Sequence, residues 1–182
     1  FIGHGVGALA ISGLALTFPL MNLAAAFGSL VGAGGAALMS MRLGQKDYLS
    51  SNKILGNVFL LNIIIGISFT IVVLAFLDPI LYFFGASEAT LPYAHEYMVV
   101  ILLGNVITHL YMGLNALLRS TGNPQKSMYA TLYSVLINLV LNPLFIFVFK
   151  WGIQGSAFAT IIAQTIMLIW QIKIFSNKNQ FI

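Results

Sequence analysis

Two carboxamides, Asn138 and Asn142, stand four residues apart in the run Ser134-Val135-Leu136-Ile137-Asn138-Leu139-Val140-Leu141-Asn142-Pro143. In a helix that spacing stacks both side chains on one face. Pro143 has no backbone N–H to bond four residues back, so the Leu139 carbonyl is expected to be freed. Two side-chain carbonyls and one backbone carbonyl make an oxygen set suited to a hard cation or a polar substrate. Thr160 and Gln164 repeat the four-residue spacing later in the chain, and Asn105, Thr108 and His109 cluster earlier.

The elements that must position these side chains are outlined by the absence of charge. Between Lys53 and Asp78 lie 24 residues with no Asp, Glu, Lys or Arg; the gaps Glu96–Arg119, Lys126–Lys150 and Lys150–Lys173 hold 22, 23 and 22. A hydrocarbon core of ~30 Å is crossed by about 20 apolar residues of helix, so each gap matches one crossing. A fifth fits the uncharged stretch ending at Met41. The predicted spans are 14–41, 54–77, 95–118, 127–149 and 154–173. The runs are continuous rather than alternating, which favours helices over a membrane barrel. The expectation is an all-α, polytopic transmembrane bundle of about five spans. A composition of 59% hydrophobic and 7% charged residues excludes an ordinary water-soluble domain. The eight cations are dispersed, so the net charge of +4 is no nucleic-acid footprint. There is no Cys for a disulfide or thiolate metal site. The opening Phe1-Ile2-Gly3-His4 reads as the exit of an earlier helix, and the chain as a piece of a longer protein.

Arg42, Lys46, Lys53, Arg119, Lys126, Lys173 and Lys178 fall on one side of this layout, and only Lys150 on the other, with Asp78, Glu88 and Glu96. The cation-rich side is therefore cytoplasmic. The expected setting is a cell (inner) membrane crossed several times, with the lipid bilayer as the first partner. Trp151, Tyr82 and Tyr93 mark the outer boundary. Asp78–Gly85 is apolar but too short to span and is placed along the outer interface. Ser87 or Thr90 is a candidate cap for the next helix, with Pro92 in its first turn. Gly122 and Asn123-Pro124 signal an inner turn.

Within this layout, Asn142, Thr160 and Asn105 lie about 12–13 Å from their outer ends and Asn138 about 18 Å. Convergence of those faces would line a polar cavity open outward; the plainer alternative is interhelical hydrogen bonding that holds the bundle together. His109 is the one ionisable His, Asp, Glu, Lys or Arg near the membrane centre, a candidate for proton handling or a neutral ring held between helices. Ala24, Gly28, Gly32, Ala36 and Ser40 form a small-residue stripe on the first span, either a sliding seam or static close packing. Pro19 is a candidate kink. No phosphate-binding loop, zinc-protease or serine-hydrolase motif occurs, nor a potassium filter or arginine repeat, so neither an enzyme nor an ATPase is indicated.

Four pieces in order carry a family resemblance. Gly35-Ala36-Ala37-Leu38-Met39-Ser40-Met41-Arg42-Leu43-Gly44-Gln45-Lys46-Asp47 resembles the end of the second helix and the following loop of multidrug and toxic compound extrusion (MATE) transporters. Arg119-Ser120-Thr121-Gly122-Asn123-Pro124 resembles the loop before their fifth helix. Asn138–Phe147 and Trp151-Gly152-Ile153-Gln154-Gly155-Ser156-Ala157 are similar to the fifth helix and the entry to the sixth. The resemblance implies residues 1–182 are helices two to six of an incomplete amino-terminal lobe, with the first helix and the second lobe of the same chain lying outside them. It implies an antiporter exporting drugs or organic cations against Na+ or H+ by alternating access, with no cofactor and no nucleic-acid partner. The family's cation site maps onto Asn138, Asn142 and Thr160, where Na+ would bind. Asn142 stands at a family Asp position and so removes a negative charge. Tyr97 corresponds to a helix-four Tyr of that site, and Asn105, His109 and Gln164 are pocket candidates. The rivals are a lipid-linked oligosaccharide flippase of the same superfamily, disfavoured by spans free of Lys and Arg, and a membrane-embedded enzyme or channel subunit.

Overall fold

The computed structural model describes residues 2–177. Phe1 and Lys178 lie outside the described residues. The order is α1 (Ile2–Gly5), α2 (Ala8–Gly44), α3 (Tyr48–Ala75), α4 (Leu77–Phe83), α5 (Leu91–Leu103), α6 (Asn105–Ser120) and α7 (Pro124–Pro143). A π-helical turn follows at Leu144–Val148, and then α8 (Gly152–Ser176). Among the described residues the bundle is all-α as expected, with four helices long and apolar enough to cross a membrane and a fifth candidate crossing in α5 and α6 taken together.

That fifth crossing corrects the sequence expectation. The segment 95–118, read as one span, is two helices bent by 56°. The break falls at Gly104, where a Cβ would lie 2.5 Å from Ile161 of α8. The absence of a side chain lets α8 pack into the bend. A break at bilayer depth frees backbone groups that lipid cannot satisfy. Here the Thr70 hydroxyl of α3 donates to the Leu102 carbonyl at 2.9 Å, while Asn105 donates to the Gly66 carbonyl at 3.3 Å. Sequence alone hides this, because a single Gly inside a helical pattern does not dictate a bend.

Capping also departs from expectation at one point. Thr90 occupies the cap position of α5, but its hydroxyl accepts from the Ser87 N–H at 3.0 Å and caps no helix N–H. Pro92 sits in the first turn of α5 as expected. Helix α2 continues through Pro19 as a single 37-residue helix. At the start of α3, Asp47 accepts from the Ser50 N–H at 3.0 Å. Hydrogen bonding from Ser50, side chain and backbone, holds the Asp47 carboxyl below its ordinary value. Leu77 and Leu81 bury one face of the short helix α4, and His95 of α5 meets Asp78 at 2.6 Å.

Two apolar clusters divide the interior by depth. One, toward the outer ends, contains Leu20, Val73, Leu81, Ala94, Met98 and Ile153. The other, toward the inner ends, contains Met39, Val58, Leu114, Leu117, Ala130 and Met167. Between them the α2 stripe packs on α6: a Cβ on Gly28 would touch His109 at 3.3 Å, and one on Gly32 would lie 3.0 Å from the Gly113 Cα. The stripe thus serves close helix approach, the packing that membrane bundles favour.

Two outcomes follow. Gly32→Val should destabilise the protein by about 1–3 kcal/mol, because the opposing Gly113 backbone cannot yield; an unchanged melting temperature in detergent would contradict this packing. Because the folded-state value of Asp47 is lowered, its cap is intact above the ordinary carboxylate value of 3.8 and is lost as pH falls through the lower folded value. The protection of the Ser50 amide, measured against its intrinsic exchange rate at each pH, should fall over that acidic interval, and pH-invariant protection there would refute the assignment.

Candidate functional site

The outer half of α7 faces α8, and there the sequence-selected polar residues meet. Asn138 donates from Nδ2 to the Thr160 hydroxyl at 3.0 Å. Asn142 donates from Nδ2 to the Asn138 side-chain oxygen at 2.7 Å and to the Asn138 backbone carbonyl at 3.0 Å. The Thr160 hydroxyl in turn donates to the Ser156 carbonyl at 3.1 Å. Asn142, Asn138, Thr160 and Ser156 therefore form one directed chain of hydrogen bonds between two helices. The Asn142 Oδ1 accepts no hydrogen bond among the described residues, which leaves it available to a ligand. All three candidate side chains are half-buried, close enough to the surface to be reached and deep enough to be partly desolvated.

Local sequence explains the placement. Pro143 ends the regular part of α7, and the chain continues as a π-helical turn in which the Phe149 N–H reaches the Leu144 carbonyl at 3.1 Å. The Trp151 N–H then bonds the Phe145 carbonyl at 3.0 Å. Phe145 stacks on Trp151 with ring centroids 5.1 Å apart, and Phe149 and Phe158 pack around Trp151. This aromatic cluster closes the outer end of the α7–α8 pair above Asn142. Gly155 supplies the space, since a Cβ there would lie 3.0 Å from Phe145.

The other candidates are placed differently. The Thr108 hydroxyl donates to the Gln164 side-chain oxygen at 2.6 Å, linking α6 to α8 one turn inward of Thr160. Asn105 turns to α3, where Gly66 and Thr70 engage it, so it does not join the α7–α8 knot. An outward cavity shared by all three helices is accordingly not what the geometry gives. Tyr97 is buried in the outer apolar cluster, and His109 is fully enclosed between α2, α3 and α6.

Two of the grooves on the bundle bear on the site. One of about 730 Å³ on the outer side is lined by apolar residues including Leu20, Phe27, Phe69, Val72 and Phe83. The other, about 650 Å³, lies at the inner ends of α2, α6 and α7 and is lined in part by Ser29, Ser40, Asn115, Arg119, Ser120 and Thr131. Behind it Ser127 donates to the Asn115 side-chain oxygen at 2.5 Å, and Asn115 donates to Thr131 at 3.0 Å. Sequence reading did not select Asn62, Thr70, Asn115 or Thr131. The signal was present as four-residue spacings of polar and glycine residues, Asn62-Gly66-Thr70 and Ser127-Thr131, inside uncharged spans.

The MatE family model matches residues 1–144. A multidrug export protein MepA of Staphylococcus haemolyticus is 33% identical over 180 residues, covering 99% of this chain and 40% of that protein. The chain thus spans about 40% of the length of the curated relatives it matches. Among solved structures, an outward-facing MATE family multidrug resistance transporter of the MOP superfamily is matched with TM-score 0.90 at 26% identity, over 97% of this chain and 39% of that one. An inward-facing MATE family multidrug resistance transporter of the same superfamily is matched with TM-score 0.88 at 26% identity, over 94% of this chain and 39% of that one.

Thr160→Val removes the acceptor of the Asn138 amide and leaves a half-buried donor unpaired. The protein should lose about 1 kcal/mol of stability, the scale of one interhelical hydrogen bond in a bundle. Thermal unfolding in detergent checks this, and a variant as stable as the parent would show that the bond is not formed.

Proposed function

This chain belongs to the MatE family, and from that premise we propose that it forms one lobe of an antiporter that exports drugs or other organic cations. Its helices are those of a multi-pass membrane transporter, not of an enzyme. The proposed mechanism exchanges an inward-moving Na+ or H+ for outward-moving substrate by alternating access. The observation that carries it is the directed chain Asn142–Asn138–Thr160, which gathers amide and hydroxyl oxygens from two helices in the outer half of the bundle.

A Na+ ion entering between α7 and α8 would take the free Asn142 Oδ1 first. It would compete with the Asn142 N–H for the Asn138 Oδ1, and with the Asn138 N–H for the Thr160 oxygen. Hard cations prefer oxygen ligands, and charge count sets affinity. These three side chains are neutral, so a carboxylate from elsewhere in the full protein is the natural completion of the site. Substrate and ion would then compete for one set of conformations, each binding one state better than the other. The near-equal match of this lobe to an outward-facing and an inward-facing structure supports a rocking motion of intact lobes rather than rearrangement within this one.

Of the substrate-pocket candidates, Gln164, held by Thr108, lies nearest the ion site, whereas Tyr97 sits in the outer apolar cluster, Asn105 turns to α3 and His109 is enclosed apart from it. The lipid-linked oligosaccharide alternative would require cations against an anionic head group, whereas Arg119 at the inner groove is the one charged residue lining either groove.

The test uses the full-length parent in liposomes, with ethidium as the transported probe and Na+ and pH gradients imposed separately. Asn138→Ala should lower gradient-driven efflux about tenfold, the equivalent of one lost ligand interaction, at normal membrane insertion. Asn142→Asp should strengthen ion dependence by restoring a charge. Efflux of Asn138→Ala equal to the parent at matched expression would overturn the assignment of the ion site.

A further inference from the structure

His109 is wholly enclosed, at 0% exposure, and neither ring nitrogen has a hydrogen-bond partner among the described residues. The enclosure is made by three helices. Gly28 of α2 lies against the His109 Cα and ring, Gly66 of α3 lies toward Nδ1, and the Phe69 ring stands with its centroid 6.4 Å away. The Ala24 carbonyl of α2 faces the ring without reaching hydrogen-bond geometry. A neutral imidazole carries one N–H donor and one acceptor nitrogen, and a protonated ring carries two donors. Buried polar atoms without partners are rare in folded proteins and call for a reason.

One turn away lies a complementary deficit. Asn62 of α3 is also enclosed, and its side-chain oxygen has no donor. Its amide nitrogen is held only by the Val58 carbonyl of its own helix at 2.9 Å. Asn62 packs on Gly113, four residues after His109 on α6, while Gly66, four residues after Asn62, packs toward His109. The carboxamide and the imidazole therefore occupy adjacent levels of one seam, about 6 Å apart along the helix axes. One has an unused acceptor and the other an unused donor. Gly66, level with His109 on α3, carries no side chain of its own between the two.

We propose that His109 is a proton-binding site within this lobe and that the Asn62 side-chain oxygen receives the N–H of the protonated ring. No other group near the ring ionises around neutral pH. Helix α2 carries no charged residue before Arg42, α3 none between Lys53 and Asp78, and α5 and α6 none between Glu96 and Arg119. On α8 the first is Lys173, and on α7 there is none between Lys126 and Lys150. Tyr97 and Tyr111 are the other titratable side chains buried in the surrounding helices. In the packing seen here the ring is sealed from water, so a proton reaches it only when α2 parts from α6, with α3 and Asn62 left in place against the ring. This site is separate from the Asn138–Asn142–Thr160 chain, and it rests on the bilayer placement of the lobe rather than on which compound is exported.

The experiment is nitrogen NMR of the full-length parent in lipid nanodiscs, labelled with 15N-histidine and 15N-asparagine, without substrate, from pH 8 to pH 5. H109Q assigns the ring signals; if that variant does not fold, F69L does so by removing the adjacent aromatic ring. The expected result is conversion of the His109 ring from two unlike nitrogens to two protonated ones, with the Asn62 amide signal moving over the same pH interval. In N62L the ratio of protonated to neutral ring at a fixed acidic pH should fall about tenfold, the effect of one hydrogen bond to a charged group. Ring signals that stay neutral throughout would overturn the proton site, and a ratio unchanged in N62L would overturn the pairing. The readout contains no transport step. An Asn138→Ala variant with normal efflux would therefore refute the ion site and leave this result standing, and a pH-invariant His109 would do the reverse.

Discussion

Hydrocarbon offers no hydrogen bonds, so every backbone N–H and C=O at membrane depth must find a partner inside the protein. That constraint shapes this lobe most visibly at Gly104, where α5 and α6 part. An unbroken helix would satisfy itself and could stand alone in lipid. A bent one depends on its neighbours, and α3 answers with Thr70 on the Leu102 carbonyl. Asn105 returns the contact by donating to the Gly66 carbonyl. The bend and the α3–α6 interface therefore form as one unit, and α8 packs into the bend through Ile161. The same rule governs the other end of the bundle. Past Pro143 the ladder of α7 widens into a π turn, which carries the backbone on to Trp151.

The interface is built from glycines set against polar side chains. Gly28 and Gly66 make room for His109, and Gly113 makes room for Asn62. Without those glycines the helices would stand further apart and the polar groups would face lipid or voids. Close approach thus decides both the packing and the chemical character of the lobe's middle layer. Above and below it the two apolar clusters are conventional cores. The polar residues lie between them as a layer in which each side chain is assigned to a particular pair of helices: Thr108 with Gln164, Asn138 with Thr160, Asn105 with Thr70.

The crossings were legible in the sequence because charge is nearly excluded from lipid, and the gaps between Lys53, Asp78, Glu96, Arg119, Lys126 and Lys150 record that exclusion directly. The meeting of Asn138, Asn142 and Thr160 was legible for a related reason. Polar side chains four apart on adjacent helices have few other places to turn. The bend at Gly104 was not legible, since it depends on Ile161 of a helix more than fifty residues later. Nor was the turning of Asn105 toward α3. Depth along the membrane can be counted from sequence, but azimuth around a helix is set by neighbours, and depth alone made Asn105 look like a partner of Asn138. Asn62 escaped notice because its meaning lies in the Gly113 opposite.

The length of α2 has its own consequence. At 1.5 Å per residue its 37 residues extend about 55 Å, against ~30 Å for the oily layer, and nothing charged interrupts it before Arg42. Such a rod fits a bilayer only by leaning or by projecting beyond it, and the balance between the two follows the thickness of the surrounding lipid. Because α6 is fastened along its middle, any change in that lean is carried into the whole scaffold. Acyl-chain length thereby becomes a mechanical input to the lobe.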